Sequence, residues 1–85
     1  MAAVFNLTYN TGRTITKSDS VELEQVNGHY PTAIWVGGAG IVRAIMEDNT
    51  DLQFTCVAGT ILPIYCKKVM SATTTATLMI GLYQQ

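Results

Sequence analysis

Thr32-Ala33-Ile34-Trp35-Val36-Gly37-Gly38-Ala39-Gly40-Ile41-Val42-Arg43-Ala44-Ile45-Met46 is the stretch that decides the fold class. Two runs rich in β-branched and aromatic residues flank a glycine-rich interruption, and neither run carries the 3.6-residue apolar repeat of a helix. Thr32 to Val36 and Ile41 to Met46 therefore read as strands. The glycines read as a tight β-turn between them, supplying positive φ. A phosphate-binding loop would instead need Lys followed by Ser or Thr and then a helix N-terminus. Ile41-Val42-Arg43 stands in that position, and a dinucleotide-binding fingerprint fails for the same reason.

Toward the C-terminus, Glu47-Asp48-Asn49-Thr50-Asp51 is a polar turn, Leu52 to Val57 a strand, and Ala58-Gly59 a turn. Thr60 to Val69 reads as the next strand, Ser71 to Thr75 as a hydroxyl-rich loop, and Thr77 to Tyr83 as the closing strand. Toward the N-terminus, Val21 to Val26 alternates and is closed by Asn27-Gly28, a strong turn pair. Strands starting roughly every ten residues predict an all-β fold, a small antiparallel β-sandwich or barrel of about six to seven short strands.

Residues 1–18 read as an N-terminal arm ahead of a single β-sandwich domain at residues 19–85. Phe5, Leu7 and Tyr9 alternate with Asn6 and Thr8, then Asn10-Thr11-Gly12 breaks the run. The arm adds an outer strand either to its own sheet or to a neighbour's sheet edge, where main-chain pairing gives affinity. Strand alternation assigns Ile34, Val36, Val42, Ala44, Leu52, Phe54, Leu62, Leu78, Ile80 and Leu82 to the core. Trp35, Ile41, Ile45, Tyr65, Met79 and Tyr83 are left on second faces, which one sheet layer cannot hide.

Hydrophobic residues make up 48% of the 85-residue chain and charged residues 13%, about half the charge of an ordinary soluble domain. So small a chain has a thin core, and monomers rarely expose large apolar patches. The composition therefore predicts surface covered by partners. Net charge is −1 and the basic residues are scattered at Arg13, Lys17, Arg43, Lys67 and Lys68, which argues against nucleic-acid binding. Val69 to Gln85 is too short and too rich in Thr to cross a bilayer, and the first residues lack the pattern of a secretory signal. No membrane partner is expected, and Cys56 and Cys66 are expected as reduced, buried thiols in a cytoplasmic product.

Catalytic chemistry finds no foothold. His29 stands alone in a loop, and two Cys with one His do not complete a zinc site. Glu47, Asp48 and Asp51 carry oxygens suited to calcium, but the turn lacks the twelve-residue loop of an EF-hand and reads as solvated. No enzyme activity and no cofactor are expected.

The second half of the chain, about residues 32–83, resembles a family of small virion proteins of tailed bacteriophages and gene transfer agents. The resemblance is to those of the spike-base, or head-vertex, type. It rests on Ala33-Ile34-Trp35-Val36-Gly37, Phe54-Thr55, Ala58-Gly59-Thr60-Ile61-Leu62-Pro63-Ile64, Lys67-Lys68-Val69, Ala72-Thr73-Thr74-Thr75-Ala76-Thr77 and Gly81-Leu82-Tyr83. Departures stand at Ile41, where the family often has an acidic residue, at Glu47 to Thr50, and near Tyr65.

The resemblance implies an oligomeric structural protein on the capsid surface of a virion, made in the host bacterial cytoplasm. It would act as a vertex or spike-base, decoration or cement subunit. Its implied partners are its own copies, as a trimer or pentamer, the major capsid protein, and a head fibre or spike that it would seat. Aromatic residues are enriched at interface hot spots, so Phe5, Leu7, Tyr9, Trp35, Tyr65 and Tyr83 are the candidate subunit or capsid contacts. The alternative is a small β-sheet binding module for peptide or carbohydrate, with Trp35 and the tyrosines as its stacking surface.

Overall fold

The computed structural model describes residues 9–84. Phe5 and Leu7 lie outside the described residues. Among those described, the protein is all-β, with seven strands: β1 (Thr11–Thr14), β2 (Ala33–Gly38), β3 (Gly40–Met46), β4 (Asp51–Cys56), β5 (Thr60–Leu62), β6 (Cys66–Val69) and β7 (Thr77–Tyr83). They form two antiparallel sheets, a four-stranded one ordered β1-β7-β2-β5 and a three-stranded one ordered β4-β3-β6. The core lies between them. Ile34, Val36 and Met79 enter it from the larger sheet, and Val42, Ala44, Cys56, Cys66 and Val69 from the smaller.

The glycine-rich stretch is a corner between sheets rather than the hairpin turn expected. β2 and β3 belong to different sheets and only Ala39 separates them. Gly40 alone among these glycines has positive φ, at 155°. A Cβ there would lie 2.5 Å from the Ala76 amide nitrogen, and one on Gly38 would lie 1.9 Å from Thr77 Oγ1. The glycines are needed because the corner runs against the chain entering β7, and side chains would leave no room.

Thr60 to Val69 is likewise two strands. Proline cannot donate to a ladder, and β5 ends at Leu62, before Pro63, with Ile64 N–H turning back to the Leu62 carbonyl at 2.9 Å. The chain then crosses to the other sheet as β6. The hydroxyl-rich loop has a structural duty at β3. Thr74 Oγ1 accepts from the Arg43 amide at 3.0 Å and Thr75 Oγ1 from the Ile41 amide at 2.8 Å. These side chains satisfy an edge of β3 that no strand reaches.

The segment 15–26, part of which alternates like a strand, packs without joining a ladder. Leu23 is buried, and its N–H bonds the Lys67 carbonyl at 2.7 Å. Asn27-Gly28 makes the expected turn, with φ of 52° and 80° and reciprocal Val26–His29 backbone bonds. Of the expected arm, Thr11–Thr14 pairs with β7 in the chain's own sheet.

Of the expected core, Ile34, Val36, Val42 and Ala44 are fully buried, and Phe54 and Leu62 pack against it half-buried. Leu78, Ile80 and Leu82 need correcting. Register pairs Val36 with Met79 and Ile34 with Gly81, so the inward face of β7 is Met79, Gly81 and Tyr83. Leu78 and Ile80 are exposed, and Leu82 is only partly covered. Leu52 is also exposed, because β4 is an edge strand.

Candidate interface on the outer face of the larger sheet

Registers across the four-stranded sheet bring one apolar row together. Ile61 on β5 pairs with Trp35 on β2, Trp35 pairs with Ile80 on β7, and Ile80 pairs with Thr14 on β1. Alternation puts these side chains opposite the core-facing Ile34, Val36 and Met79. Leu78 joins them, because its Cβ and the Trp35 ring both crowd the position a Cβ on Gly37 would take. Exposure confirms the direction: Leu78 is 73% exposed, Ile61 50% and Ile80 36%.

No charged residue occurs in β2, β5 or β7. The contrast with the other sheet is sharp. There the outward residues of β3 and β4 include Arg43, Gln53 and Asp51, and Arg43 holds Asp51 through contacts of 2.7 to 3.2 Å. That guanidinium holds the Asp51 carboxyl below the usual carboxylate range. One face is built for water. The other is an uncharged apolar surface, of the kind that marks a contact site.

The remaining candidate aromatics are dispersed. Tyr9 is half-buried. Tyr65 packs edge-on against Tyr30, ring centroids 5.8 Å apart, and its hydroxyl accepts the Tyr30 N–H at 3.2 Å. It also lines a shallow groove with Met46 and Leu52 at the end of the smaller sheet. Tyr83 is 2% exposed, and its hydroxyl donates to the Glu24 carbonyl at 2.5 Å. It is spent on the chain's own packing and offers no free ring.

Of the four candidates that lie among the described residues, Trp35 alone is on the apolar row. Ile61, Leu78 and Ile80 are further candidates that the sequence reading does not include, and strand alternation there places Leu78 and Ile80 inward. The signal available was the absence of charge from Thr77 to Tyr83, with a strand apolar on both faces.

Among the described residues no three His, Cys, Asp or Glu side chains converge as metal ligands. Asp48, in the acidic turn, accepts from Thr50 N–H at 3.1 Å and Thr50 Oγ1 at 2.7 Å, which lowers its pKa. No helix is long and apolar enough to cross a membrane among the described residues.

No protein-family model matches the sequence, and no match is found among curated proteins. Among solved structures, the chain is similar to one described as the capsid of a native GTA particle computed with C5 symmetry, GTA standing for gene transfer agent. The two share 31% sequence identity and superpose with a TM-score of 0.77, over 88% of this chain and 83% of the other.

Proposed function

We propose, from the premise that this chain belongs to the capsid-component family represented in the gene transfer agent particle, that it is an oligomeric subunit of the capsid surface. It is a virion capsid component. Within that class, a vertex or spike-base, decoration or cement role fits it best, with its own copies and the major capsid protein as partners and a head fibre as a further one.

The observation that carries this reading is the Ile61–Trp35–Ile80 row with Leu78 beside it, on a sheet face without charge. Burying a side chain of this size is worth about 1.5–3 kcal/mol. A contact using a few such side chains is modest for one copy, yet repeated around a symmetric particle it sums to firm attachment.

The test is Trp35→Ser. The variant should keep its β-sheet circular dichroism and lose co-sedimentation with parent particles. Co-sedimentation equal to the unaltered chain would remove this face from the contact.

A further inference from the structure

We propose that the edge of β4 left unpaired among the described residues receives residues 4–9 of a neighbouring copy as an added strand, each subunit donating to the next. The inference rests on the oligomeric part of the function proposed above. It concerns a different surface from the Trp35 face.

Two sheets have four edges, and three of them are guarded. The outer edge of β6 is covered by the segment after β1, through Ser18 N–H to the Val69 carbonyl at 2.9 Å and Leu23 N–H to the Lys67 carbonyl at 2.7 Å. β1 is four residues long and carries Arg13, tied to Glu24 at 2.9 Å. β5 is three residues long, and Pro63 follows it. Short strands, prolines and charges are the usual means of blunting an edge.

β4, at six residues, is neither short nor interrupted by proline. Its pairing with β3 runs without a bulge from Cys56 to Asp51. Its one charged residue, Asp51, is neutralised by Arg43 at 2.7 Å. Among the described residues no backbone bond reaches β4 from any strand but β3. A row of amide and carbonyl groups is left for another chain.

The occupant follows from length, pattern and position. Val4-Phe5-Asn6-Leu7-Thr8-Tyr9 has six residues, like β4, with alternating apolar side chains, no charge and no proline. The segment leads into Asn10, whose N–H bonds the Tyr83 carbonyl at 3.1 Å beside β1. β1 lies on the side of the sandwich shared with β6, because only residues 15–17 separate its end from Ser18, which bonds Val69 of β6. β4 lies on the opposite side, joined to β5 through Val57-Ala58-Gly59. Donor and acceptor are therefore on opposite flanks of one subunit. That arrangement favours a head-to-tail contact, which closes into a ring when the rotation permits.

Hydrogen exchange on the full chain tests this. In the unaltered assembly the β4 amides not bonded to β3 should exchange at least about tenfold slower than in the Phe5→Asp, Leu7→Asp double variant. The β2 and β7 amides should be unchanged, which shows that the variant is folded. On dilution to monomer, β4 protection should disappear in the unaltered chain.

Equal β4 exchange in both proteins, with the oligomer intact, would overturn the inference and leave the Trp35 face standing. Protection that survives dilution to monomer would also overturn it, since the segment would then serve its own subunit. A chain that sediments only as a monomer would sink this inference and the oligomeric reading together.

Discussion

Trp35 rests on Gly37. A Cβ added to Gly37 would lie 2.7 Å from Trp35 Cζ3, 2.8 Å from Cη2 and 2.9 Å from Leu78 Cβ. The glycine two residues along the strand is thus the floor on which the indole lies, and it turns the ring flat against the sheet beside Leu78. Gly37→Ala should lift the ring at a stability cost of about 1–3 kcal/mol, the usual range for overpacking. The fold should survive, while particle binding should fall as it does for Trp35→Ser. A thermal melt paired with co-sedimentation checks both. Wild-type binding by a folded Gly37→Ala would show that ring orientation is irrelevant to the contact.

Gly40 and Gly59 both have positive φ, 155° and 85°, but their surroundings differ. Around Gly59 nothing lies within 4 Å of an added Cβ, whereas at Gly40 the Ala76 nitrogen would be 2.5 Å away and the Thr75 carbonyl carbon 2.7 Å. Gly59→Ala should therefore cost only the backbone penalty, about 1–2 kcal/mol. Gly40→Ala should cost several kcal/mol more or prevent folding, because main chain cannot step aside as a side chain can. Urea unfolding of the two variants separates these outcomes. Equal losses would mean that the sheet-to-sheet corner relaxes freely.

The extent of β3 and β7 was legible in the sequence, because alternation and turn residues bound those strands on both sides. Sheet membership was not. Gly37 to Gly40 can serve a hairpin or a corner, and the choice is made by the close approach of Thr75 to Thr77, far along the chain. The inward face of β7 was illegible for a related reason. Leu78, Ile80 and Leu82 are as apolar as Met79 and Tyr83, so only register with Ile34 and Val36 decides between them. Trp35 could be recognised as an aromatic on a second face. Its partnership with Ile61 and Ile80 could not, since β5, β2 and β7 are neighbours in space but not in order.

Tyr83 binds the irregular segment to the sheet. Its ring is buried, and its hydroxyl donates to the Glu24 carbonyl at 2.5 Å. Tyr83→Phe keeps the packing and removes one hydrogen bond, so about 0.5–1.5 kcal/mol should be lost. Tyr83→Ala also leaves a cavity and should cost about 3–5 kcal/mol. Neither loss concerns a surface ring, so folded Tyr83→Phe should bind particles as the unaltered chain does. A binding defect in that variant without a stability defect would put Tyr83 at the interface after all.

Cys66 makes alkaline stability testable. Burial pushes its thiol up to about 12, against 9.0 for a free one. Below the unfolded value both states hold the proton and pH has no effect through this group. As pH rises above 9, the unfolded chain ionises while the folded chain does not, so stability falls until the folded thiol itself titrates. The full gap corresponds to about 4 kcal/mol. Roughly half of it, about 2 kcal/mol, should be lost between about pH 8 and about pH 10.5. Tyr83 is also raised by burial and adds an alkaline loss of its own, so the informative quantity is a difference. Cys66→Ala should start less stable at pH 8 and lose about 2 kcal/mol less than the unaltered chain over this interval. Urea midpoints at the two pH values measure it, and parallel losses in the two proteins would mean that water reaches the Cys66 thiol.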